Sequence, residues 1–119
     1  MSLPSSLITR QNDRFRSMVQ IPQFGAPEVR GQVLITPGIG ALAPLQQIAI
    51  LAEVRSFDGF TDDNDPYGEH DFGAFDHPDV GKVFWKIDYY DVDYRYGGPD
   101  PTNLDLTRRV LTIMLAEEY

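Results

Sequence analysis

At 119 residues, 42% of them hydrophobic, the chain is long enough to bury one core unaided and short enough that a single domain over residues 1–119 is expected. It has no cysteine, which excludes disulfide scaffolds, thiolate nucleophiles and thiolate metal sites and agrees with a reducing compartment. The net charge of −8 is confined to Phe57–Tyr96, where eleven acids face Lys82, Lys86 and Arg95, and an acidic excess of this kind disfavours direct binding of nucleic acid.

The opening MSLPSSLITRQNDRFR lacks an apolar run followed by a small-residue cleavage site, so no signal peptide is expected. Ser5 or Ser6 is placed to cap a first helix running to about Val19. Its apolar stripe is Ile8, Phe15, Met18 and Val19, with Arg10, Arg14 and Arg16 off the stripe. IPQFGAPEVRG is punctuated by Pro22, Gly25, Pro27 and Gly31 and reads as a loop. Gln32–Thr36 has the character of a short strand, stopped by Pro37-Gly38. A second helix is predicted from Pro44 to about Phe57, with Leu45, Ile48, Ala49, Leu51 and Ala52 on a broad apolar face. The longest stretch without charge, Gly31–Ala52, is interrupted by Pro37, Gly38, Gly40 and Pro44, so no membrane span is expected, and the cytoplasm is the default location.

The acidic segment opens with DGFTDDNDPYG, a turn or loop by its Gly, Asn, Asp and Pro content. Two strands follow, His70–Asp76 and Lys82–Asp91, forming a hairpin over about 70–91. In the second, Val83, Trp85, Ile87 and Tyr89 share one face, assigned to the core, and Phe84, Lys86, Asp88 and Tyr90 the other. Eleven of the fourteen aromatic residues lie between Phe57 and Tyr96, and burying them offsets the repulsion among its carboxylates. A last helix is predicted over about 103–118, with Leu106, Val110, Leu111, Ile113, Met114 and Leu115 on a wide apolar face. The expected architecture is α+β, with helices packed on one face of a small antiparallel sheet.

Three constellations are candidates for chemistry. In DDNDPYGEHD, Asp63, Asp65, Gly68, Glu69 and Asp71 fall at positions one, three, six, seven and nine of a calcium loop. Position five is Tyr67, however, and position twelve is Ala74 where a bidentate Glu belongs; the alternative is an Asp-rich turn capping its own amides. Glu69, His70, Asp71, Asp76 and His77 form a histidine–carboxylate set suited to a divalent metal or to general base chemistry, provided the chain turns enough to bring His70 and His77 together. Gly38-Ile39-Gly40 after a strand superficially resembles a phosphate-binding turn, without the GK[ST] ending such a turn needs. The third constellation is the acidic, aromatic surface itself: Asp62, Asp63, Asp65, Tyr67, Glu69, Asp71, Lys86, Asp88 and Tyr90 present carboxylates and rings to a protein partner with a basic surface. Neither a cofactor nor a membrane is expected.

Taken together, DNDPYGEHDFG, VFWKIDYYD and RVLTIMLAEEY resemble the domain-of-unknown-function family numbered 3768, small bacterial proteins often carried on plasmids. The resemblance extends from Asn12–Phe15 through ITPGI at Ile35–Ile39 to Tyr119. It implies no activity, but its mobile-element setting raises one version of the binding hypothesis: an inhibitor of host DNA-targeting defence (anti-restriction or anti-CRISPR) acting as a partial nucleic-acid mimic. The alternatives are a small metal-dependent enzyme built on Glu69, His70, Asp71 and His77, and a structural or oligomer-forming module.

Overall fold

The computed structural model describes residues 3–98 and 100–119, with side chains from Leu7 onward. In chain order they form α1 (Leu3–Ser17), β1 (Gly31–Ile35), the single turn α2 (Pro37–Gly40), α3 (Pro44–Ser56), β2 (Phe72–His77), β3 (Gly81–Tyr90), β4 (Arg108–Leu115) and a 3-10 turn, Ala116–Glu118. The class is α+β, with one four-stranded sheet ordered β1-β4-β3-β2.

The hairpin forms where the sequence places it, with Trp85 opposite Gly73 and Lys86 opposite Phe72. Alternation along β3 holds as well. Val83, Trp85 and Ile87 are buried, and with Leu111 and Ile113 of β4 they receive Phe15 from α1, Val19 from the turn after it, and Ile50 and Val54 from α3. The helices therefore cover one face of the sheet. On the opposite face lie Phe72, Phe84, Lys86, Asp88 and Tyr90, with an aromatic cluster in which Phe72 and Phe84 stand 6.0 and 5.4 Å from Tyr119.

Three expectations are corrected. Residues 103–118 are not a helix: they reach the sheet through a turn, and Arg108–Leu115 becomes one of its two inner strands, bonded to β1 and β3. A strand covered on both faces is apolar on both, so Val110 and Met114 are buried alongside Leu111 and Ile113, and the near-continuous run imitates a wide helical face. Nor is the sheet purely antiparallel, because β1 runs parallel to β4 and makes it mixed. Finally, the backbone is already helical at Leu3, so Ser5 and Ser6 lie inside α1 rather than capping it.

The TPGIGA segment is structural. Ile39 is buried within α2, and the Glu118 carboxylate accepts bonds from Gly38 N at 2.9 Å and Thr36 Oγ1 at 2.5 Å. The donors of this turn are thus engaged by the chain's own carboxylate. The hydroxyl of Thr36 and the amides of Leu115 and Gly38 hold that carboxyl below its usual range.

Candidate functional site

The acidic loop between α3 and β2 is fastened to the core at its first residues. Phe57 and Phe60 set their rings edge-on to Trp85, with centroids 5.6 and 6.0 Å away. The chain then turns on reciprocal bonds: Asn64 Oδ1 accepts from Thr61 N at 2.9 Å, and Thr61 Oγ1 accepts from Asn64 N at 3.3 Å. Asp65 is buried, and its carboxylate accepts from the amides of Glu69 at 3.1 Å and His70 at 3.3 Å. Gly68 takes φ of 65°, where glycine costs nothing, and His70 takes 56°, where a side chain does.

What holds His70 there is a ring stack and a line of polar contacts. Its ring stacks on Phe60 at 3.7 Å and 4°, its Nδ1 lies 2.9 Å from Asp13 Oδ1, and its Nε2 lies 3.7 Å from Asp65 Oδ2. Asp13 in turn accepts from Arg16 NH2 at 3.0 Å. Arg16 is itself buried, 5.1 Å from the Trp85 ring and 5.5 Å from Phe60, and its NH1 donates to the carbonyls of Val54 at 2.8 Å and Arg55 at 3.2 Å. Those carbonyls end α3, where a cation is favoured. Burial lowers the Arg16 pKa, and the contact with Asp13 opposes that.

A second line runs one residue along α1. Asn12 is fully buried; its Nδ2 donates to Glu69 O at 2.9 Å and Tyr89 Oη at 2.8 Å, and its Oδ1 accepts from Arg109 Nε at 2.7 Å. Arg109 Nε is only a donor, which fixes the amide orientation. Arg109 has no carboxylate partner among the described residues; it lies 5.1 Å from the Tyr89 ring centroid and donates to Gln11 Oε1 and Pro101 O. Burial lowers the Arg109 pKa and raises that of Tyr89 to about 12. The Thr9 hydroxyl donates to Gly68 O, a third fastening between α1 and the loop.

The nine predicted surface residues are thereby divided. Asp62, Asp63 and Tyr67 face outward from the loop, whereas Asp65 is turned inward to close it. Glu69 and Asp71 are half-buried, and burial together with neighbouring carboxylates raises both pKa values. Lys86, Asp88 and Tyr90 lie on the helix-free face of the sheet, where Lys86 Nζ pairs with Asp88 at 3.0 Å; that hydrogen bond raises the lysine's pKa. His77 stands at the far end of β2 and accepts from Asp79 N, so the two histidines do not meet. Among the described residues, no three His, Asp or Glu side chains are placed to hold a metal ion. The Asp-rich segment is a self-capped turn.

The sequence reading missed Asn12, Asp13, Arg16, Phe60 and Arg109. Helical spacing offered a partial signal, since Asn12, Asp13 and Arg16 are neighbours on one face of α1. With this geometry in hand, the comparison with known families is direct: residues 35–118 match the family described as "Protein of unknown function (DUF3768)". The chain belongs to this family. The matched region begins after the Asn12–Arg16 segment yet includes every loop and strand residue that segment grips. No curated protein and no solved structure matches the chain.

Proposed function

We propose that this DUF3768 protein is a non-catalytic acidic module that acts in the cytoplasm by binding a protein partner with a basic surface. The supporting observation is the construction of the loop. Its inner side is consumed by structural bonds from Asp65, Asn12, Asp13 and Phe60, while Asp62 and Asp63 are exposed and Tyr67 is 78% exposed. Carboxylates held apart on a pre-ordered backbone lose little entropy on docking, and an aromatic beside them supplies an anchor. Spaced negative charge of this kind suits a groove that otherwise receives phosphates, which is the form an inhibitor of DNA-targeting defence would take.

The test is affinity capture with wild type and with the double reversal Asp62→Lys, Asp63→Lys, at low and high salt and with competing duplex DNA. Both side chains are exposed, so the variant keeps the wild-type thermal midpoint. The expected result is a partner retained at low salt, released by high salt, displaced by DNA and lost in the variant. A partner held equally by wild type and variant overturns the proposal, as does one indifferent to salt.

A further inference from the structure

The edge of the sheet remote from the acidic hairpin has a different character. Strand β1 pairs with β4 on one side only. Arg109 N bonds to Arg30 O at 3.0 Å and Thr36 N to Ile113 O at 3.1 Å, so in a parallel ladder the even-numbered residues of β1 bond inward. The N–H and C=O groups of Val33 and Ile35 therefore point off the edge. Natural edge strands are blunted by lysine, proline or a bulge, and GQVLI carries none of these.

Beside this edge the surface is uncharged and largely apolar. Val33, Ile35, Ile39, Ile50, Leu51 and Ile113, with Gln20 and Gln47, line a cleft of about 260 Å³ between β1, α2 and α3. Helix α3 continues the patch outward, with Leu45 80% and Ile48 59% exposed. Apolar side chains exposed together beside an open strand edge mark an interaction surface. Gly31–Ala52, which supplies the strand and most of α3, holds no charged residue.

We propose that β1 and the outer face of α3 form a homodimer interface, in which β1 pairs antiparallel with its own copy about a two-fold axis and α3 packs beside it. The open backbone groups call for a strand, and the same strand from a second copy satisfies them reciprocally. The charge distribution leaves that occupant room. Of the −8 on each copy, six charges lie in the Asp58–Asp71 loop, which leads into β2 at the opposite end of the strand order, whereas Gly31–Ala52 carries none. Two copies joined through β1 form an eight-stranded sheet with both β2–β3 hairpins at its outer ends and meet along this uncharged segment.

The full chain is examined by sedimentation equilibrium over a range of concentrations, with Ile48→Lys and Leu45→Lys as variants. These side chains are exposed, so both variants fold. The expected result is a reversible species of twice 13.5 kDa, weakened roughly tenfold or more by either lysine. Added salt strengthens this association by screening the mutual repulsion, the opposite of its effect on partner binding, and the Asp62→Lys, Asp63→Lys variant still dimerises, so the two proposals stand or fall separately. The amides of Val33 and Ile35 gain hydrogen-exchange protection as concentration rises. A monomer at the highest concentration reached, a dimer indifferent to both lysines, or concentration-independent exchange at these amides overturns the proposal.

Discussion

Replacing Asn12 by alanine tests the reading of the buried network directly. The side chain makes three hydrogen bonds of 2.9, 2.8 and 2.7 Å, the shortest of them accepted from the guanidinium of Arg109. A bond to a buried charge is worth about 1.5–3 kcal/mol, and each neutral group left without a partner costs about 1–3 kcal/mol. Relaxation and water entry reduce the sum, so the expected loss is about 3 kcal/mol, or roughly 10 °C in thermal midpoint for a chain of this size. Urea unfolding followed by the single tryptophan measures it: Trp85 is fully buried, and the midpoint falls while the slope is unchanged. If the cost arises because Arg109 loses a partner, it shrinks by about 1.5 kcal/mol or more in an Arg109→Met background. A loss below about 1 kcal/mol for Asn12→Ala, or additivity of the two changes within about 0.5 kcal/mol, refutes the reasoning.

Gly73→Ala places a Cβ 2.4 Å from Trp85 Nε1, against a ring already hemmed by Phe57 and Phe60; a loss of about 2–3 kcal/mol is expected by thermal denaturation, and a neutral result shows the ring has room to shift. The Tyr89 phenol has a folded-state value of about 12, above its ordinary value of 10.0, so the folded state keeps a proton the unfolded state has lost. Stability from this group is complete below about pH 10 and is lost as pH rises through about 12; tyrosinate absorbance is expected to show one late phenol, which Asn12→Ala delays further by removing a donor that favours the phenolate. Glu69 and Asp71 also have raised folded-state values, and for them ionisation on the alkaline side opposes folding. Glu69→Gln with Asp71→Asn is therefore expected to raise the midpoint at neutral pH by no more than about 1 kcal/mol equivalent, with the advantage vanishing in acid; a gain that persists in acid excludes a charge origin.

Elements whose periodicity has a single explanation were legible. The alternation of Val83, Trp85 and Ile87 is that of a half-covered strand, and Pro44 followed by Leu45, Ile48, Ala49, Leu51 and Ala52 has the start and spacing of a helix. Arg108–Leu115 was not legible, because a strand buried on both faces has no alternation left to detect; β-branched Val110, Thr112 and Ile113 were the only local hint. The site divided in a similar way. Asp62, Asp63 and Tyr67 are exposed, as a polar turn foretells. Arg16 and Arg109 are cations in the core, a position that composition argues against, and only tertiary partners explain them: the end of α3 for one, Asn12 and the Tyr89 ring for the other. Asp65 looked like a ligand because a carboxylate that binds two amides and one that binds a cation occupy the same kind of turn.

The parallel pairing of β1 with β4 has a kinetic consequence. An inner strand of the sheet comes from Arg108–Leu115, and neither β1 nor β3 has its full set of neighbours until that strand arrives. Arg109 then closes onto Asn12 across 97 residues of sequence, and onto Gln11 across 98. Only the β2–β3 hairpin and the helices can form from nearby residues, so most of the core waits on a long loop closure whose entropy is spent before any packing is gained. Such a chain folds slowly for its size, and during that interval β3, with its row of aromatic side chains, lies open on the side β4 will fill.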